Sequence, residues 1–115
     1  MLGGDDFGIV AYVRNDTAKP LYVRNNSNDM SAVVVVPPRV LGSTGFTQPG
    51  EPITWFDAKC HRLGHVAAPN QQAFLVVISA DNAATIESID PSASEKAVGL
   101  EDAENAPMAC FGVNP

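Results

Sequence analysis

Basic side chains are scarce in this sequence. Seven Lys and Arg stand against thirteen Asp and Glu in 115 residues, a net charge of −6. So few cations cannot neutralise a run of phosphates, which argues against nucleic acid as a partner. Long apolar runs are missing too. None approaches the roughly 20 residues that a helix needs to cross a bilayer, so no membrane span is expected. Hydrophobic residues still make up 45% of the chain, too many for a wholly disordered one. The length suits one domain over residues 1–115 with a modest core.

Catalytic signatures are also lacking. Gly42-Ser43-Thr44-Gly45 has the wrong spacing for a nucleophile elbow and no strand-to-helix context. There is no phosphate-binding loop, no HExxH and no EF-hand loop. The adjacent pairs Asp5-Asp6 and Glu101-Asp102 point their carboxylates apart on extended backbone, which gives no basis for acid and base roles. No catalytic residue, cofactor or metal ligand is assigned, and the expectation is a protein that is not an enzyme.

What is present is acidic and uneven. Residues 1–80 carry equal numbers of acidic and basic side chains, whereas 81–115 carry seven carboxylates against Lys96 alone. Glu101, Asp102 and Glu104 are therefore candidates for steering a basic partner. The alternative is a solvated acidic segment over 90–105 that maintains solubility.

Cys60 and Cys110, the two cysteines, fit neither CxxC redox spacing nor a four-ligand zinc pattern. Such a distant pair reads as a disulfide in an oxidising compartment, where closing a fifty-residue loop is worth roughly 4 kcal/mol in the chain-entropy model. Two reduced, buried thiols in a cytosolic protein are the alternative. Low Lys with abundant Thr, Asn and Ser favours an extracytoplasmic location. Residues 1–6 show neither the basic nor the apolar region of a signal peptide, so an exported chain would have lost its leader. Asn15-Asp16-Thr17 and Asn25-Asn26-Ser27 fit the N-glycosylation sequon.

Strand patterns dominate the chain. Residues 8–14 alternate, 15–20 are turn material, and 21–24 resume an extended run, which predicts a hairpin with Tyr12 and Tyr22 as a cross-strand pair. The β-branched run 32–36, stopped by Pro37-Pro38, predicts a strand covered on both sides. Residues 42–50 read as a Gly/Ser/Thr loop. A second hairpin is expected over 52–57 and 62–67, then strands at 73–80 and 85–89. Asp90-Pro91 looks like a helix N-cap followed by Pro at N1, opening one or two turns at most. The result is an all-β fold, a single antiparallel β-sandwich or small barrel of seven or eight short strands, with 90–105 an acidic loop or short helix.

His61 and His65 share a face of extended backbone and could join a thiolate or carboxylate around zinc or copper; surface histidines flanking a turn are the alternative. Trp55 and Phe56 must point to opposite faces of one strand. If Trp55 is the exposed one it is a natural partner anchor; if not, it belongs to the core.

The stretches Val13-Arg14-Asn15-Asp16-Thr17, Pro20 to Val23, Ile53 to Val66 and Phe74 to Ile86 together resemble small secreted or lipid-anchored β-rich proteins of actinobacteria. The resemblance covers about residues 9–89 and implies an exported β-sandwich without implying an activity. Asp90 to Pro115, with Cys110, departs from it. The functional expectation is an exported, non-catalytic protein–protein interaction module, an adapter within a larger secreted assembly. It would dock another protein through sheet edges, Trp55 or the acidic segment. The alternatives are a metal-binding or small hydrolytic protein built on His61 and His65, and a protease inhibitor presenting the 42–50 loop.

Overall fold

The computed structural model describes residues 9–25 and 33–102, with the side chains of Ile9, Glu101 and Asp102 outside that description. Ten strands and one short helix occur among the described residues. They are β1 (Ile9–Asn15), β2 (Leu21–Asn25), β3 (Val33–Val36), β4 (Leu41–Thr47), β5 (Pro52–Phe56), β6 (Arg62–Ala67), β7 (Ala73–Ile78), β8 (Ala84–Glu87), α1 (Pro91–Glu95), β9 (Val98–Gly99) and β10 (Glu101–Asp102). They form two five-stranded sheets, ordered β8-β7-β1-β4-β9 and β10-β3-β2-β5-β6. The architecture is an all-β sandwich, mostly antiparallel. Two pairs in the first sheet, β1 with β7 and β4 with β9, run parallel.

Alternation along each strand builds the core. Ala11 and Val13 of β1, Val23 of β2, Ile53 and Trp55 of β5, and Phe74, Val76 and Ile78 of β7 meet between the sheets. The second sheet is apolar on its outward side as well. There Val33, Phe56 and Cys60 form a smaller buried cluster, with Tyr22 and Val35 packed against it. Arg24 lies over the Phe56 ring at 5.6 Å on this side, and burial lowers its pKa.

Three expectations need correction. β1 and β2 do not form a hairpin, because β1 belongs to one sheet and β2 to the other, so Tyr12 and Tyr22 are not a cross-strand pair. The 42–50 segment is not a loop: residues 41–47 are β4, paired along β1 from Leu41 to Thr47. Its Gly, Ser and Thr composition hides the strand, yet Gly42 is needed because Leu100 packs where a Cβ would sit. A protease-binding loop at that position loses its basis. Finally, the 90–105 segment contains more than a loop or helix. Asp90 Oδ1 accepts from the Ala93 N–H at 2.8 Å, and Pro91 opens α1, as read from the sequence. The chain then crosses from β9 in one sheet to β10 in the other, closing one side of the sandwich.

A cleft at the turn end

The strand directions bring four turns to one end. β1 ends where β2 begins, Leu21 pairs with Val36 at the end of β3, and Tyr22 pairs with Phe56 at the end of β5. In the first sheet, Asn15 pairs with Ile78 at the end of β7 and Arg14 with Leu41 at the start of β4. Residues 16–20, 37–40, 57–61 and 79–83 therefore cluster. All three described non-glycine residues with positive φ lie in these turns: Arg39, Cys60 and Asn82.

Each of three turns is locked by its own side chain. Asn15, 0% exposed, donates from Nδ2 to the carbonyls of Lys19 at 2.8 Å and Val36 at 2.9 Å. Its Oδ1 accepts from the Thr17 N–H at 2.9 Å and the Thr17 hydroxyl at 2.7 Å. One amide thus ties the first turn to the second sheet. In the third turn, Asp57 Oδ1 accepts from the N–H groups of Lys59 and His61, both at 2.9 Å, and His61 Nδ1 lies 3.1 Å from Oδ2. Partial burial works to raise the Asp57 pKa. The hydrogen bonds from His61 and Lys59 outweigh it and hold the carboxyl below its ordinary value. In the fourth turn, Asp81 Oδ1 accepts from the Ser79 hydroxyl at 2.9 Å and the Ala83 N–H at 3.2 Å, which also lowers its pKa.

Between these three turns opens a cleft of about 380 Å³. Pro20, Leu21, Ala58, Leu63 and Ala80 supply apolar walls, and Lys19, Asp57 and Asn82 supply polar ones. Leu63 reaches it through an irregularity in β6. Trp55 pairs with Gly64 and Phe56 with Arg62, so Leu63 is the extra residue of a bulge. Bulges of this kind re-aim side chains at strand ends. A volume near 400 Å³ falls within the roughly 300–1,000 Å³ range of ligand pockets.

The residues singled out from the sequence fare differently. Trp55, at 1% exposed, is a core residue and offers no anchor to a partner. It lies so close to β6 that a Cβ on Gly64 would sit 2.6 Å from its ring. Its Nε1 has no hydrogen-bond partner among the described residues. His61 and His65 do not share a site: His61 bonds Asp57, and His65 Nδ1 sits 3.0 Å from an Arg62 guanidinium nitrogen. No group of three or more His, Cys, Asp or Glu converges among the described residues. Glu101 and Asp102 contribute backbone to β10, paired with Val35 and Val34 on the side away from the cleft. Glu104 and Cys110 lie outside the described residues; Cys60 is buried beside Phe56 and Val33. Both sequon asparagines are spent on structure. Asn15 is enclosed as above, and the buried Asn25 donates to the Phe46 carbonyl at 3.0 Å, so neither amide is open to glycan transfer in the folded state.

Sequence reasoning missed the cleft itself. Its walls come from turns separated by up to sixty residues, and only the Asx residues at the turn starts hinted at them. No helix among the described residues is long and apolar enough to cross a membrane. Compared with protein-family models, curated proteins and solved structures, the chain matches none.

Proposed function

We propose that this protein is an exported, non-catalytic protein-interaction module, an adapter subunit of a larger assembly, that meets its partner with the turn end. The supporting observation is the cleft: both sheets contribute to it, and its turns are held by internal hydrogen bonds. Side chains already fixed in this way lose little entropy on binding, which is where preorganised sites gain affinity. Export would place the protein where Cys60 can pair with Cys110, tying the third turn to the C-terminal segment. The buried setting of Cys60 in the turn beside β6 supports that bridge. Intact mass after alkylation without reductant tests it: an unmodified protein is expected, and two alkylated thiols in exported material would remove the bridge.

The docking role is tested by capture from the native extracellular fraction, comparing the wild type with Ala58→Trp. Ala58 is exposed, so the indole fills the cleft without entering the core. A partner held by the wild type and lost by the variant is expected. A lone monomer under all conditions, or equal capture by both proteins, would overturn the reading.

A further inference from the structure

Folding redistributes charge in a way the linear sequence conceals. Arg14, Lys19, Arg39, Lys59 and Arg62 lie in or beside the four turns, against Asp16, Asp57 and Asp81. The four turns alone balance at three charges of each sign. Arg14 at the end of β1 and Arg62 at the start of β6 bring this end to +2, with Glu87 of β8 also acting on Arg14. The rest of the chain carries −8 within the overall −6. The carboxylates at this end are also consumed locally. Asp16 pairs with the Arg14 guanidinium at 3.0 Å, and Asp57 and Asp81 accept hydrogen bonds from their own turns. Lys19, Lys59 and Arg39 have no carboxylate partner among the described residues. Lys19 lines the cleft, and Lys59 follows its wall residue Ala58.

We infer that the cleft receives an extended acidic segment of a partner protein, with one apolar side chain seated against Pro20, Leu21, Ala58 and Leu63. Flanking carboxylates of that segment face Lys19 and Lys59. This rests on the interaction reading above and adds the chemistry of the partner. Charge complementarity carries it: a basic segment would find Asp57 already engaged by Lys59 and His61 of its own turn, and would meet two ammonium groups that have no carboxylate partner among the described residues. An apolar cleft alone would not discriminate between the two. The lysines do.

The test is an amide-resonance titration of the full chain with two capped nine-residue peptides, one alternating glutamate and leucine, the other lysine and leucine. The acidic peptide is expected to move resonances of residues 16–21, 57–63 and 79–83, and the basic one to leave them in place. Reversing both lysines, Lys19→Glu with Lys59→Glu, should weaken the acidic peptide by about tenfold at low salt, since each exposed pair contributes at most about fivefold. Added salt should weaken the wild-type complex and, by screening the new glutamate–glutamate repulsion, leave the variant's unchanged or tighter. Equal or tighter binding of the basic peptide in the cleft would overturn the inference while leaving an interaction site standing. Shifts confined to the β6 edge, or none with either peptide, would overturn it by removing the cleft as the place of contact. Concentration-dependent shifts in the cleft without peptide would overturn it by seating a second copy there.

Discussion

Two turns at the same end of this sandwich use one device in opposite environments. The first runs Asn15-Asp16-Thr17-Ala18-Lys19 and the third Asp57-Ala58-Lys59-Cys60-His61. In each, an Asx side chain at the end of a strand accepts the N–H two residues on. Asn15 is fully enclosed, whereas the Asp57 side chain is 38% exposed. Desolvation accounts for the different residue types. An enclosed site facing two carbonyls needs a neutral group that can donate, so only the amide fits. At the half-exposed site a carboxylate keeps its charge and gains two backbone donors.

Substitution separates the two turns most sharply at Asn15. Asn15→Asp would place a carboxylate against the Lys19 and Val36 carbonyls with no proton to share, unless it took one up. We expect a loss of roughly 4 kcal/mol or outright failure to fold, and about 3 kcal/mol for Asn15→Ala, which leaves those carbonyls and the Thr17 N–H unsatisfied. Urea unfolding measures both. A midpoint unchanged in either variant would remove the buried network as a determinant of the fold. Asp57→Ala should cost only about 1 kcal/mol, because water can reach the freed N–H groups. If it cost as much as Asn15→Ala, exposure would not be what distinguishes the turns.

The same comparison predicts a pH signature. Asp57 is held below its ordinary value of 3.8 in the folded state. A carboxyl lowered on folding contributes stability that is present above its unfolded pKa and lost as pH falls through the folded one. The difference in stability between wild type and Asp57→Asn should therefore be greatest near neutrality and shrink as pH drops below about 4. The cost of Asn15→Ala carries no ionisation of its own and should stay level across that range. Unfolding midpoints at a series of acidic pH values decide the matter. A constant Asp57→Asn difference would show that the charge of Asp57 does not support its turn.

The sequence made much of this sandwich legible, for identifiable reasons. β1, β7 and the β5–β6 hairpin read as strands because short runs of apolar, β-branched and aromatic residues stand between turn residues, a local pattern that survives even where, as in β5 and β7, both faces are buried. The Asp90-Pro91 cap is a local hydrogen bond and needs no tertiary context. β4 escaped because its glycines answer to neighbours distant in sequence: Gly42 yields to Leu100, and Gly45 adopts φ 97° beside the bulge opposite Ala11. The false β1–β2 hairpin has the same origin. Nothing in residues 15–20 says that the Asn15 amide reaches Val36, and that contact accompanies the chain's crossing between sheets. Trp55 and Phe56 were correctly placed on opposite faces, but both faces of β5 are covered, so neither ring is exposed. The cleft depends on three turns meeting, which no local pattern encodes.

The smallest expected effect concerns the lysine that each turn carries. Lys19 gives its backbone carbonyl to Asn15 and Thr17, and Lys59 gives its N–H to Asp57. Neither ammonium has an ion-pair partner among the described residues, so the turns use the backbone of these residues and leave the charge free. Lys19→Glu and Lys59→Glu should each change stability by less than about 0.5 kcal/mol, the usual range for surface positions away from caps and networks. Thermal or urea unfolding of the single variants measures this. A loss above about 1 kcal/mol at Lys19 would mean that its ammonium takes part in holding the first turn, as the Asn15 amide does. The peptide titration with the double variant would then report a damaged turn rather than a lost charge contact. Stability held level while acidic-peptide affinity falls would separate the two roles within one residue: backbone for the fold, side chain for the partner.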